Sequence, residues 1–268
     1  MLRKSLLFLI ISAIFSIPAV KINAQKSKVY SFDEKTFYKG LDYYEKEKYG
    51  VARNFFDRAL KNTGPGKSDI KSEAQFYRAM SSVELFNNDA EYLVFEFVKE
   101  NPSSPHVNEA WFRLADYMYK KKNYPRTITY YEKVDRFLLD AEELSEYYFQ
   151  KGYSHYMRRE YDMARVSFYE IKDIDSKYSS PALYYYSHIA YDQGNYQTAL
   201  EGFLRLLDDK TFSEIAPYYV TQIYYLQEDF EKVLEFAPPI METVTEKRKD
   251  EVSKIIGESY FYLGRYQE

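Results

Sequence analysis

Gly152-Tyr153-Ser154-His155-Tyr156-Met157-Arg158-Arg159-Glu160-Tyr161-Asp162-Met163-Ala164-Arg165-Val166-Ser167-Phe168 carries two small residues, Gly152 and Ala164, separated by a polar turn and surrounded by large rings. The pattern recurs along the chain. Gly40, Ala79, Ala115, Gly152, Ser187, Thr221 and Gly257 fall into register at intervals of 39, 36, 37, 35, 34 and 36 residues. A second small residue follows 11 or 12 positions later, at Ala52, Ala90, Thr127, Ala164, Ala199 and Val233. A ring precedes this second residue by three at Tyr49, Tyr124, Tyr161, Tyr196 and Phe230, and another follows it by four at Phe56, Tyr131, Phe168 and Phe203. Small side chains at both anchors let two antiparallel helices approach closely, and the rings fill the space beside that contact. Each unit is therefore predicted to be a helical hairpin.

Punctuation agrees with the period. Polar turns such as Lys122-Asn123-Tyr124, Arg159-Glu160-Tyr161 and Gly194-Asn195-Tyr196 separate the two helices of a unit. Gly64-Pro65-Gly66, Asn101-Pro102-Ser103-Ser104-Pro105, Ser179-Ser180-Pro181 and Pro238-Pro239 are expected at unit boundaries, with Ser before Pro as a helix cap. The expectation is an all-α stack of about thirteen helices over residues 33–268, or six and a half units. The seventh unit stops at Glu268, just after Gly264-Arg265-Tyr266, where a second helix is due. Its first helix should then expose the face meant for a partner, and the 268 residues read as the front of a longer protein.

Composition supports a folded chain. Of 268 residues, 46% are hydrophobic and 29% charged, with 9 Gly and 9 Pro, too few for a low-complexity chain. The absence of Cys excludes disulfides, Cys-ligated zinc, iron-sulfur clusters and a thiol nucleophile. The N-terminus reads as an address. Met1-Leu2-Arg3-Lys4 is basic, Leu6 to Val20 is apolar, and Ile22-Asn23-Ala24 ends in a small residue. A secretory signal over residues 1–24, cleaved between Ala24 and Gln25, is predicted, with a linker over 25–32. The apolar run falls short of the roughly 20 residues that span a bilayer. Without a following Cys, lipid attachment has no acceptor, so the mature chain should be exported without a membrane span, periplasmic or associated with the outer membrane. It would carry 34 basic against 41 acidic residues, which argues against a nucleic-acid partner.

Trp111-Phe112-Arg113-Leu114-Ala115, Gly40-Leu41-Asp42-Tyr43 and Ala52-Arg53-Asn54-Phe55-Phe56 with Ala59 follow the pattern W-x2-L-G-x2-Y, then A-x3-F. On these residues the chain resembles the tetratricopeptide repeat family, over about residues 31 to 268. Departures occur in the second unit, which is long and lacks the first-helix Tyr, and in the sixth, where Ala237 replaces the second-helix ring. The Pro-Ser-Ser-Pro boundary is similar to a variant found in envelope members of the family. The resemblance implies a right-handed superhelical solenoid whose first helices line a concave groove through their second, fifth, ninth and twelfth positions.

Those positions carry rings and acids. The fifth positions are Phe37, Phe76, Phe112, Phe149, Tyr184 and Tyr218, and the twelfth include Tyr44, Tyr119, Tyr156, Tyr191 and Tyr225. Glu34, Glu73, Glu109, Glu146 and Glu251 occupy most second positions, which favours a neutral or basic ligand. No catalytic, cofactor or metal motif accompanies them. His106, His155 and His188 fall at unrelated positions, His106-x2-Glu109 has no second ligand pair, and no phosphate loop, HExxH or GxSxG occurs. The function expected is a non-catalytic scaffold of the cell envelope that binds partner peptides or helices. Two alternatives stay open: the sensing region of a longer membrane signalling protein, and a glycan-binding module.

Overall fold

The computed structural model describes residues 32–62, 68–242, 244 and 246–267; the predicted signal (1–24), nearly all of the linker (25–32) and Gly64-Pro65-Gly66 lie outside them. Among the described residues the chain is all-helical, with thirteen α-helices and no strand. Six hairpins follow one another: α1 (Phe32–Glu45) with α2 (Tyr49–Asn62), α3 (Ser68–Glu84) with α4 (Ala90–Glu100), α5 (Val107–Lys120) with α6 (Tyr124–Tyr131), α7 (Ala141–Met157) with α8 (Tyr161–Tyr169), α9 (Ser179–Asp192) with α10 (Tyr196–Arg205), and α11 (Ala216–Leu226) with α12 (Phe230–Ile240). Helix α13 (Glu246–Tyr262) packs on α12. Each helix packs on the next in the chain, and first helices of neighbouring hairpins also meet, α1 with α3, α3 with α5, α5 with α7 and α11 with α13. Among the described residues no two second helices pack comparably.

The anchors lie where helices approach most closely. Ala79, Ala115, Ser187 and Thr221 in first helices, and Ala52, Ala90, Thr127, Ala164, Ala199 and Val233 in second helices, are fully buried. Steric room explains the two glycines. A Cβ on Gly40 would come within 2.8 Å of the Phe56 ring, and one on Gly152 within 2.9 Å of Ser167 Cβ and 3.0 Å of the Phe168 ring. Around Gly257 nothing lies within 4 Å, because no described second helix covers it. In the sixth hairpin the larger residue moves to the first helix: the first anchor is Thr221 and the residue sixteen later is Ala237, where the first and fourth hairpins place Gly against Phe. Both are fully buried.

Every first helix ends in the same way. Glu47, Phe86, Lys122, Arg159, Gly194, Glu228 and Gly264, each seven residues after its anchor, have positive φ. Each amide bonds to the carbonyl three residues back, and the following amide bonds to the carbonyl five back, as in Lys122 N to Tyr119 O at 2.8 Å and Asn123 N to Met118 O at 2.9 Å. This Schellman closure satisfies terminal carbonyls and reverses the chain. Only two of the seven sites use Gly, so five pay the steric cost of a left-handed backbone for a side chain.

Two expected boundaries shift. Pro238 and Pro239 lie in the last turn of α12 rather than after it, where the amides they lack would have bonded to carbonyls one turn earlier; the helix ends at Ile240. Ser180 does not cap α9. The helix starts at Ser179, whose hydroxyl bonds to the carbonyls of Ile174 and Ser176 and ties the helix to the preceding loop. At the start of α7, by contrast, Asp140 and Glu143 form a complete capping box.

Between hairpins, the ring sixteen residues after an anchor stacks on a ring two residues before the next anchor. Phe56 meets Tyr77 at 5.7 Å and 22°, Phe168 meets Tyr185 at 5.4 Å and 18°, and Phe203 meets Tyr219 at 4.5 Å and 7°. The second hairpin has Phe95 at this position, but the third offers Arg113, so no such stack forms between them, and the junction between the third and fourth hairpins departs in another way. There Tyr131 faces Gln150, and its hydroxyl donates to Gln150 Oε1 at 2.9 Å.

Candidate functional site

The first-helix face is built on the repeated tyrosines. Tyr44, Tyr119, Tyr156, Tyr191 and Tyr225 are half-buried, one per hairpin except the second, where Val83 is buried. Each lies four residues after its anchor, one turn further along the same side of the helix, and meets the ring that opens the second helix. Tyr44 packs edge-on to Tyr49 at 5.2 Å, Tyr119 to Tyr124 at 6.4 Å, Tyr156 to Tyr161 at 5.7 Å and Tyr225 to Phe230 at 6.0 Å, and Tyr191 meets Tyr196 at 6.0 Å. Turn and ring pair thus fix each tyrosine from below. Burial holds the Tyr44 and Tyr119 phenols well above their ordinary range and pushes Tyr156 up to about 12. The hydroxyls therefore remain donors across the physiological pH range.

The fifth positions divide. Phe37, Phe76 and Phe112 were expected in the groove but are core residues, at 5%, 2% and 1% exposure. They lie three residues before the anchor, so they turn toward the second helix as the anchor does: Phe37 packs on Phe56, Phe76 on Phe97 and Phe112 on Tyr131. Phe149 is half-buried and Tyr184 likewise, the first against Phe168 and Tyr178, the second against Phe203 and Phe212. Tyr218 differs because its hairpin offers Ala237 instead of a ring. Its hydroxyl donates to Glu251 at 2.5 Å.

Two adjoining open spaces lie around Tyr218, toward the C-terminal end, while others lie further back, such as one of about 460 Å³ beside Asp69, Glu73 and Pro102. One cavity of about 580 Å³ is lined by residues including His188, Tyr191, Asp192, Tyr219 and Arg248, and an adjoining one of about 370 Å³ by residues including Gln222, Tyr225, Leu226 and Glu258. Tyr218 and Glu251 line both. Tyr225 donates to Glu258 at 2.5 Å, repeating the Tyr218–Glu251 bond seven residues further along both helices. Burial and then the Glu251 bond push the Tyr218 phenol up to about 12, and the Glu258 bond and then burial do the same for Tyr225.

Further toward the N-terminus the face is filled with polar pairs. Asp116 is 6% exposed, and its carboxylate receives Gln150 Nε2 at 2.9 Å and lies 2.6 Å from Lys120 Nζ. Gln150 Nε2 also donates to Glu146 at 2.9 Å. Burial and the nearby Asp116 raise the Glu146 carboxyl above its ordinary value. His106, which the sequence pairs with Glu109, stacks on Phe76 at 4.2 Å and lies 3.2 Å from Glu73 and 3.4 Å from Glu109. It thereby links α3 to α5. Among the described residues no cluster of three His, Cys, Asp or Glu side chains is arranged to hold a metal, and no helix is long and apolar enough to cross a membrane.

Ala24 and Gln25, the predicted cleavage pair, lie outside the described residues. Glu258 went unread in the sequence, since a Glu next to a Gly in an amphipathic helix gives no sign of bonding to a tyrosine 33 residues earlier. No protein-family model matches the chain, and comparison with curated proteins finds no significant match.

Proposed function

We propose that the protein is a tetratricopeptide-type array of the bacterial cell envelope, wound as a right-handed solenoid, whose first-helix face binds segments of other envelope proteins. The observation that supports this most is the row Tyr44, Tyr119, Tyr156, Tyr191 and Tyr225, half-exposed at one place in five hairpins and each set against a supporting ring. Closer packing among first helices than among second helices is what the inner wall of a curved stack requires. Tyrosines supply apolar area and a hydroxyl donor at little entropic cost, which suits protein recognition. Sugar binding finds less support, because stacking needs a free ring face. Tyr219 is covered by Phe203 at 4.5 Å, and Tyr218 by the Arg248 guanidinium at 5.1 Å.

Alanine replacement of Tyr119, Tyr156 and Tyr191 tests the groove, with the corresponding triple phenylalanine variant as a packing control. Partner capture from envelope extract is expected to fall by about 2 kcal/mol or more for the alanine variant at matched helicity. Unchanged recovery of the same partners removes the groove from the function.

A further inference from the structure

The two C-terminal cavities have a more specific chemistry than the groove as a whole. We propose that they bind an extended peptide segment bearing two basic side chains three residues apart, a proposal that rests on the protein-binding function above. Glu251 and Glu258 both project from α13, and each accepts a tyrosine hydroxyl through Oε2, from Tyr218 and Tyr225 respectively. A carboxylate so held is oriented before a ligand arrives, and its remaining lone pairs are available to a cation. Seven residues of helix separate the two by about 10.5 Å. Three residues of extended chain in the polyproline II form cover about 9.3 Å and complete one turn, so side chains three positions apart point to the same floor at nearly the spacing of the two carboxylates.

Charge favours the same ligand. Asp192, Glu251 and Glu258 line the cavities against Arg248 and Lys254. Lys254 is 73% exposed and 3.7 Å from Glu258, a surface pair that a ligand cation can replace at little cost. Arg248 lies over Tyr218, so a guanidinium already uses one ring of this floor; among the described residues it forms no ion pair. The Tyr225 ring bears no such cation, and Leu226 and Ile255 beside it offer apolar surface for the stem of a long basic side chain.

The test is fluorescence anisotropy with the intact protein and three labelled octapeptides: Ala-Ala-Lys-Ala-Ala-Lys-Ala-Ala, the isomer with adjacent lysines, and the version with Glu for Lys. The three-apart peptide is expected to bind about tenfold more tightly than the adjacent isomer at low salt, and more tightly still than the acidic peptide. A Glu251→Gln/Glu258→Gln variant of matched helicity should abolish the spacing preference. Equal binding of the two lysine peptides, a preference that survives the double variant, or binding of the acidic peptide as tight as the basic ones overturns the proposal. If the peptides fail while alanine at Tyr119, Tyr156 and Tyr191 still releases captured partners, only the basic ligand falls; if the tyrosines are also without effect, the groove falls with it.

Discussion

Two junctions occupy the same place in the repeat and are built from opposite materials. Between the fifth and sixth hairpins, Phe203 and Tyr219 lie almost parallel at 4.5 Å. Between the third and fourth, Tyr131, Gln150, Asp116 and Glu146 form a chain of hydrogen bonds closed by Lys120. The helices on either side pack alike in both cases. The repeat therefore prescribes how much volume stands at a position and leaves its chemistry free, provided that buried polar groups are paired. What differs is the response to change: stacked rings lose area gradually, whereas a polar chain fails when one link is removed.

The largest contrast is expected from Gln150→Leu against Tyr219→Leu. Leucine at 150 strands the buried Tyr131 hydroxyl and removes the amide shared by Asp116 and Glu146, a loss of about 3 kcal/mol or more. At 219 it removes one ring from an apolar stack, about 1 to 2 kcal/mol. Urea unfolding of both variants checks the order, and equal losses would mean that the polar chain contributes no more than its volume.

Gly152→Ala separates the junction from the hairpin beside it. The added methyl meets Ser167 and Phe168 inside α7/α8 and should cost about 1 to 3 kcal/mol without touching the polar chain. Gly257→Ala, in the open, should instead stabilise by up to about 1 kcal/mol through helix propensity. Melting temperatures moving in opposite directions are the expected result.

The smallest effect is the one that depends on pH. Glu146 has its folded carboxyl raised above the unfolded value by burial and by Asp116, while Lys120 and Lys177 pull the other way. A raised acid contributes most to stability below its unfolded range and loses that contribution as pH rises through the folded value. Glu146→Gln should therefore melt higher than the parent at neutral pH, with the difference vanishing below about pH 4.5. The stacked junction between Phe203 and Tyr219 offers no carboxyl pair, so variants there should show no such crossing.

The hairpins were legible in the sequence because small residues at both anchors have few other uses at a fixed period, and all twelve anchors of the six hairpins are buried. The chain reversals were only partly so. Gly194 and Gly264 announce a left-handed residue, but Glu47, Phe86, Lys122, Arg159 and Glu228 adopt the same conformation without any compositional sign. For the groove, a ring at the fifth position looks the same whether it faces solvent or the second helix. Phe37, Phe76 and Phe112 are packed inward on Phe56, Phe97 and Tyr131, whereas Tyr218 reaches Glu251 where Ala237 leaves no ring to meet. The polar junction was not legible because Gln150 stands where the second, fifth and sixth hairpins place Tyr77, Tyr185 and Tyr219, and its three partners come from three separate helices.

The seven identical reversals decide where this molecule can change length. From anchor to left-handed residue the count is always seven, and from anchor to anchor within a hairpin it is 11 or 12, yet the distance to the next hairpin ranges from 34 to 39. Nearly all of that variation is taken up outside the reversals, in and around connections such as 101–106, 132–140 with its 3-10 turn Arg136–Leu138, and 170–178. A residue inserted inside a second helix ahead of its anchor would turn that anchor by about 100° away from the contact, whereas the second hairpin, with 11 residues between anchors instead of 12, absorbs the difference before α4, which starts at its anchor Ala90. One inserted in a connection would only alter the tilt between one hairpin and the next, so the curvature of the stack can drift while the hairpins stay fixed.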